Sequence, residues 1–229
     1  MVCRSCEARH RGICGALSPK QLTELSKYTS LKWVKAGTEL FADADRVTTY
    51  SNILAGVVKL TKILEDGRQQ IVGLQFAPDF MGRPFQSKRS INAEASGDVS
   101  VCSFPKTAID RLIAQSPELE HRLLEQTLQE LDEARDWLVT LGRKSASEKV
   151  ASFLLLIAIH CNPETFDEEG PITFELPLRR IDIADYLGIT IETVSRNLTK
   201  LRKEGVVEIE NNRHFTVPDL SRLEMRAAQ

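Results

Sequence analysis

The chain has 229 residues, 42% of them hydrophobic and 27% charged, with a formal net charge of -2. That balance fits a soluble globular protein of one large or two modest domains and excludes disordered, collagen-like and disulfide mini-scaffold classes. With no global basic field, any nucleic-acid contact must come from a local patch. No apolar run approaches the roughly 18 residues of a membrane span, so no membrane partner is expected.

The first 16 residues are rich in Cys, Arg, His and Gly and have no apolar periodicity. Such a segment cannot pack a core of its own; it is a tail, or is organised by something bound. No apolar signal region stands at its start, so the chain is expected in the cytoplasm with reduced thiols. Three of its five cysteines crowd this end, spaced Cys3-x2-Cys6-x7-Cys14. In a reducing compartment that crowding points to metal binding more than to disulfides.

Leu17–Ser30 reads as a short helix with Leu22 and Leu25 on one face and Ser18-Pro19 at its start. Lys32–Lys35, Thr38–Phe41, Ser51–Leu64, Gln70–Phe76 and Ala93–Phe104 then read as strands, rich in Val, Ile and aromatics. Gly37, Asp66-Gly67, Pro78-Asp79 and Gly97-Asp98 punctuate them. Asp-Gly between two strands is a strong hairpin signal. Short strands with regular turns predict a barrel or jelly roll.

The remainder is mostly helical. Ser116-Pro117-Glu118 supplies an N-cap, a proline at the first helical position and an early acid. The helix it opens runs to about Leu141. Leu124, Leu131 and Leu138 recur every seven residues, with Leu128 and Leu141 between and after them. This narrow apolar seam suits a helix partner, the alternative being packing on the chain's own barrel. Gly142 breaks the pattern, and Ser145-Ala-Ser-Glu148 is a capping box for the next helix. Val150, Phe153, Leu154, Ile157 and Cys161 form its expected buried stripe, which makes Cys161 a core thiol. Asn162–Pro171 reads as an acidic loop.

Arg179–Glu204 carries the sharpest functional pattern. Ile183, Ala184 and Leu187 are the apolar positions of a short helix, Gly188 a turn requiring positive φ, and Thr190 the cap of a second helix. On that second helix Val194, Leu198 and Leu201 point inward, while Glu192, Ser195, Arg196 and Thr199 share the other face. This is helix-turn-helix spacing. Arg196 has the chemistry to donate twice to guanine, Glu192 to accept from cytosine N4, and Ser195 to reach a base edge or a thymine methyl. Arg179, Arg180, Lys200, Arg202 and Lys203 supply local positive charge for phosphates. Val206–Val217, with Asn211-Asn212 in its middle, reads as a wing hairpin, where Arg213 is either a phosphate contact or a plain surface residue.

The order of roll, seam helix, helix-turn-helix and wing, together with Gly188-Ile-Thr-Ile-Glu192-Thr-Val-Ser195-Arg196, resembles the CRP/FNR family of bacterial transcription regulators over nearly the whole chain. The Glu-x-x-Ser-Arg helix resembles the FNR branch. The resemblance implies an α+β fold: an N-terminal β-roll (jelly-roll, cyclic-nucleotide-binding-like) sensor domain, a long dimerisation helix and a C-terminal winged helix-turn-helix. The expected divisions are 1–16 as a cluster-binding segment, 17–115 as the roll, 116–142 as the dimerisation helix and 143–229 as the DNA-binding domain. It further implies a homodimer, paired through Leu124, Leu128, Leu131 and Leu138, that binds double-stranded DNA at a TTGAT–N4–ATCAA palindrome. RNA polymerase is an expected partner, met through the Glu65-Asp66-Gly67-Arg68 hairpin, which on its own residues is a solvated turn.

Effectors divide this family. Cyclic-nucleotide binders use an acid for the ribose and an Arg-Ser pair for the phosphate. Here Arg83 follows Gly82 where the acid is expected, and Arg89-Ser90 echoes the pair at compressed spacing. Four histidines in no recognisable pairing give haem little support. The FNR branch holds an oxygen-labile [4Fe-4S] cluster with three N-terminal cysteines and one in the roll followed closely by Pro. Cys3, Cys6, Cys14 and Cys102 match that pattern, with Pro105 nearby. The Cys pattern alone suits zinc equally well. Some relatives carry an acid on the seam where Ala134 stands here, so the metal-free chain is expected to pair more readily than they do. The alternatives are a family member without a cluster, using zinc or a thiol redox switch, and a cyclic-nucleotide-binding module without DNA activity. No nucleophile–base constellation or phosphate-cradling glycine loop suggests an enzyme.

Overall fold

The computed structural model describes Cys3, Cys6, residues 11–161 and residues 170–228. Most of the expected acidic loop, at 162–169, lies outside the described residues.

Chain contacts divide the molecule into two compact units, Met1–Leu64 with Val72–Asp132, and Glu65–Ile71 with Glu133–Gln229. In the first, α1 (Pro19–Leu25) is opened by a capping box: the Gln21 N–H donates to Ser18 Oγ, and the Ser18 N–H donates to Gln21 Oε1 at 2.9 Å. The expected strands follow as β1 (Ser30–Val34), β2 (Glu39–Phe41), β3 (Thr49–Ala55), β4 (Val58–Ile63), β5 (Gln69–Gln75), β6 (Phe80–Met81), β7 (Asn92–Ala95) and β8 (Val99–Pro105). They form two four-stranded sheets, ordered β1-β8-β3-β6 and β2-β7-β4-β5.

The run Ser51–Leu64, expected as one strand, is two. Gly56 breaks it at φ +88, and a Cβ there would stand 2.5 Å from the Asp98 carbonyl oxygen. Only glycine lets the backbone turn so close to a neighbouring loop. The two-residue β6 gave no sequence signal, being too short for periodicity.

Side-chain alternation sends β8 to two different cores. Val99 and Val101 face the second sheet, packing with Ile53, Val58, Met81, Ala93 and Ala95. Cys102 and Phe104 face the other way, into a core with Tyr50, Phe80, Leu22, Leu25 and the helix α2 (Lys106–Gln115). Cys3 and Ile13 belong to that same helical-side core, so the N-terminal segment is packed where it is described.

The long helix α3 (Pro117–Arg143) continues past the expected stop, with Gly142 inside its last turn. A helix tolerates one glycine at a cost of about 1 kcal/mol. Leu119 is fully buried and Leu123 9% exposed in the roll's core. Leu124, Leu128, Leu131 and Leu138 are 55%, 51%, 44% and 68% exposed. The seam therefore does not pack on the chain's own barrel.

In the second unit, α4 (Ala146–Cys161) starts at the expected box, with the Glu148 N–H donating to Ser145 Oγ at 3.4 Å. Val150, Phe153, Leu154 and Ile157 are fully buried. Cys161 is not a core thiol: it is exposed, on the last residue of the helix. The stripe's periodicity continues to Cys161, but the packing that would bury it does not.

A three-stranded sheet, β10-β11-β9, accompanies the helix-turn-helix. The predicted hairpin is β10 (Glu208–Glu210) and β11 (His214–Val217), turning on Asn211 and Asn212 at φ 50 and 59. Both are left-handed, as a tight primed turn demands. The strand β9 (Ile172–Glu175) and the closing helix α7 (Leu220–Ala228) were not anticipated. Four residues of Ile-Thr-Phe-Glu alternate too briefly to be read as a strand before their partner β11 is known.

Candidate functional site

Two assemblies of side chains carry chemistry, one in each unit. The first is a thiol pocket on the helical side of the roll. Cys3, Cys6, Cys14 and Cys102 all line it, walled by Leu22, Leu25, Leu31, Leu54 and Phe104. Local structure explains the placement of Cys14 and Cys102. Cys14 sits in a 3-10 turn, Ile13–Ala16, pinned by the fully buried Ile13 beside it. Cys102 lies mid-strand in β8, between Leu31 of β1 and Asn52 of β3. Cys3 is 9% and Cys102 7% exposed, with Cys6 and Cys14 half-buried.

Burial, and then the neighbouring sulfurs, push the Cys14 and Cys102 thiols up to about 12. Each would stay protonated at neutral pH in a metal-free pocket. Ligation must displace those protons, because the thiolate is the ligand.

Asn52 and Thr29 are polar residues of the wall, and Asn52 is the one bonded to a thiol. It is 5% exposed, and its Nδ2 donates to Cys14 Sγ at 3.4 Å. Its Oδ1 is buried with no hydrogen-bond partner among the described residues, a condition that costs about 1–3 kcal/mol.

Among the described residues, no group of three or more His, Cys, Asp or Glu is gathered to hold a single metal ion. One zinc needs four sulfurs at about 2.3 Å, hence roughly 3.8 Å from one another. Four thiols lining one pocket supply a donor set that zinc or an iron–sulfur group can use.

The pocket is tied to α3. Arg122 Nη2 donates to the carbonyl oxygen of Arg11 at 2.7 Å, and Nη1 lies 3.4 Å from Glu125. Arg11 stands three residues before Cys14, so one guanidinium joins the cysteine segment to the seam helix. Sequence reasoning missed this link, since nothing local to Arg122 marks it.

Arg83 is exposed, at the position where the resemblance places an acid in cyclic-nucleotide binders. Arg89 lies 4.0 Å over the Phe41 ring and donates to the Thr49 carbonyl at 2.7 Å. The guanidinium expected for a phosphate is thus engaged within the roll.

The second assembly is the reading head, α5 (Arg180–Leu187) and α6 (Ile191–Lys203). Gly188 closes α5 at φ 63, and the Ile189 N–H reaches back to Ala184 O at 3.2 Å. Thr190 caps α6 by accepting from the Thr193 N–H at 3.3 Å. Val194, Leu198 and Leu201 are buried at 0%, 2% and 1%. Glu192, Ser195, Arg196 and Thr199 are all exposed on the opposite face. The Glu192 carboxyl is held below its usual range by its own backbone N–H, then the Thr190 hydroxyl, with the Arg196 charge helping. It is therefore an ionised acceptor at neutral pH. Thr199 donates its hydroxyl to Ser195 O at 2.9 Å, leaving its methyl and an acceptor lone pair outward.

The two arginines at the start of α5 are already engaged. Arg179 forms a two-point ion pair with the buried Asp182, at 2.8 and 3.2 Å. Arg180 is half-buried, 5.7 Å over the Phe215 ring, with Nη1 buried and unpaired. Spacing alone could have signalled the first, since Arg-x-x-Asp across a helix start is capping geometry.

Residues 148–226 match the Crp-like helix-turn-helix domain, and residues 31–116 the cyclic nucleotide-binding domain. A "Probable transcriptional activator" of Rhizobium leguminosarum bv. viciae is 53% identical over 224 residues, 98% of this chain and 92% of its own. The chain belongs to the CRP/FNR family of transcription regulators. The "Transcriptional activator protein FnrL" of Cereibacter sphaeroides is 38% identical over 96% of this chain and 90% of its own. The solved structure of FixK2 from Bradyrhizobium japonicum superposes with a TM-score of 0.78 at 29% identity, covering 88% of this chain and 98% of that one. This CRP/FNR protein is accordingly a DNA-binding transcription regulator rather than an enzyme. Among its described residues, no helix is long and apolar enough to cross a membrane.

Proposed function

We propose that this CRP/FNR protein is an oxygen-responsive activator, a cytoplasmic homodimer that binds DNA when oxygen is low. In this reading Cys3, Cys6, Cys14 and Cys102 hold a [4Fe-4S] cluster. The observation that carries it is the convergence of four thiols, from opposite ends of the roll's sequence, on one walled pocket. When bound, the cluster supplies an oxygen-sensitive cross-link between the N-terminal segment and β8.

The chain's own residues do the rest. Leu22, Leu25, Leu54 and Phe104 keep water from the sulfurs. The Arg122–Arg11 bond passes the position of the cysteine segment to α3. The exposed leucines of α3 pair with those of a second copy about a two-fold axis. That axis sets the two α6 helices one helical turn apart on a TTGAT–N4–ATCAA palindrome. Arg196 reads guanine and Glu192 the cytosine opposite, Ser195 and Thr199 touch neighbouring base edges, and the exposed Arg179, braced by Asp182, approaches a phosphate while Arg180 supplies charge behind it. The Asp66–Arg68 turn, with Arg68 Nε donating to Asp66 at 2.8 Å, offers RNA polymerase an exposed charged surface.

Anaerobic purification with iron and sulfide analysis tests the sensor, and operator titration before and after air tests the switch. Equal iron and sulfide, with binding lost in air, is expected. A colourless zinc protein would overturn the cluster while leaving the DNA reading in place.

The Glu192→Ala variant is expected to lose discrimination at one base pair per half-site. The loss is about 1–3 kcal/mol there, with nonspecific binding unchanged. A panel of operators varied at that pair checks this; unaltered preference would remove Glu192 from the reading face.

A further inference from the structure

We infer that Asn52 is a positioning residue of the thiol pocket, whose carboxamide holds the Cys14 sulfur in place for ligation and protects the resulting centre from oxidation. This rests on the cluster reading above.

Asn52 faces both sources of thiol. Across the strand pair its Cα partner is Cys102, and its Nδ2 donates to Cys14 Sγ at 3.4 Å. Its other cross-strand partner is Phe80, and Leu22, Leu25, Leu54 and Phe104 share the pocket wall. A residue chosen for packing alone at this position would be apolar. Instead a carboxamide is buried with one end on sulfur and Oδ1 unpaired.

That choice suits a sulfur that serves as a ligand. Toward a ligating thiolate the amide donates N–H, and a bond to a charged acceptor is about twice as strong as a neutral one. Leu cannot donate, and Asp cannot when ionised. Hydrogen bonds to cluster sulfurs stabilise the more negative, reduced form and raise the reduction potential. Removing this one makes the centre easier to oxidise.

The test uses the full chain loaded without oxygen, as parent, Asn52→Leu and Asn52→Thr. Asn52→Leu keeps the branched shape, at greater volume, and removes the donor; Asn52→Thr keeps a donor on a residue that strands favour. Iron and sulfide per chain, the midpoint potential, and the decay of visible absorbance in air are read for each. The expected result is less complete loading of Asn52→Leu than of the parent, a lower potential, and decay about fivefold faster. Asn52→Thr should fall between it and the parent. Equal potentials and decay rates in the parent and in whichever variants fold would overturn the inference and leave the cluster standing. A parent devoid of iron and sulfide would remove the cluster reading, and this inference with it.

Discussion

A Cys102→Ser variant is expected to fold normally, hold no intact cluster and lose its oxygen-dependent grip on DNA. Folding survives because Cys102 contributes backbone pairing to β1 and β3 that a serine makes equally well. The hydroxyl is smaller than the thiol, so it enters without overpacking, and the unpaired Oδ1 of Asn52 is a ready acceptor in the same pocket. The stability cost is about 1 kcal/mol, in the ordinary range for one substitution. Ligation fails because iron–sulfur centres are held by thiolates, and a serine hydroxyl ionises far less readily. Without the roll-borne ligand, the three N-terminal thiols have nothing on β8 to be joined to.

Operator affinity without oxygen should fall by about 5- to 150-fold, the usual reach of a coupling free energy between two sites. Iron analysis, thermal melting and anaerobic operator titration measure the three parts separately. Cys161→Ser is the control, since Cys161 is exposed and lies outside the pocket; it should behave as the parent. Full iron retention by Cys102→Ser would reassign the fourth ligand.

Leu131→Glu is expected to abolish dimerisation and, with it, tight operator binding, while leaving the single chain intact. Leu131 is already 44% exposed, so the monomer loses little by the change. In a two-fold dimer each seam position meets the same surface of its mate. The substitution therefore removes two buried leucines, each worth about 1.5–3 kcal/mol, and sets two carboxylates close together. A loss of several kcal/mol weakens pairing by more than about 100-fold. Sedimentation of the reduced protein gives the dimer constant, and operator titration gives the consequence. Leu119→Glu makes the contrast: Leu119 is fully buried in the roll's core, so that variant should lose its fold. A dimer unaffected by Leu131→Glu would place the interface elsewhere on the chain.

How much of this was legible beforehand depends on the range of the forces involved. The helix-turn-helix was readable because its determinants are local: Gly188 for the left-handed turn, Thr190 for the cap, and Val194, Leu198 and Leu201 for the buried stripe. The Asn211-Asn212 hairpin and the Ser18 and Ser145 caps were readable for the same reason. Wherever a partner distant in sequence decides the outcome, local pattern falls short. The break at Gly56 depends on the Asp98 carbonyl, β9 on its pairing with β11, and the exposure of Cys161 on where packing around α4 ends.

The same division runs through the functional residues. Residue types and spacing by themselves determined which side chains share the outer face of α6, and singled out the three crowded N-terminal cysteines, because helical geometry and thiol chemistry require nothing beyond the chain's own order; Cys102 joined them only through the resemblance to the FNR branch. Tertiary structure alone decided that Cys102 turns toward the helical side, that Asn52 stands between it and Cys14, and that Arg122 ties Arg11 to α3. Those contacts join residues 38 to 111 positions apart, and a hydrogen bond acts over ångströms of space whatever the length of chain between its ends.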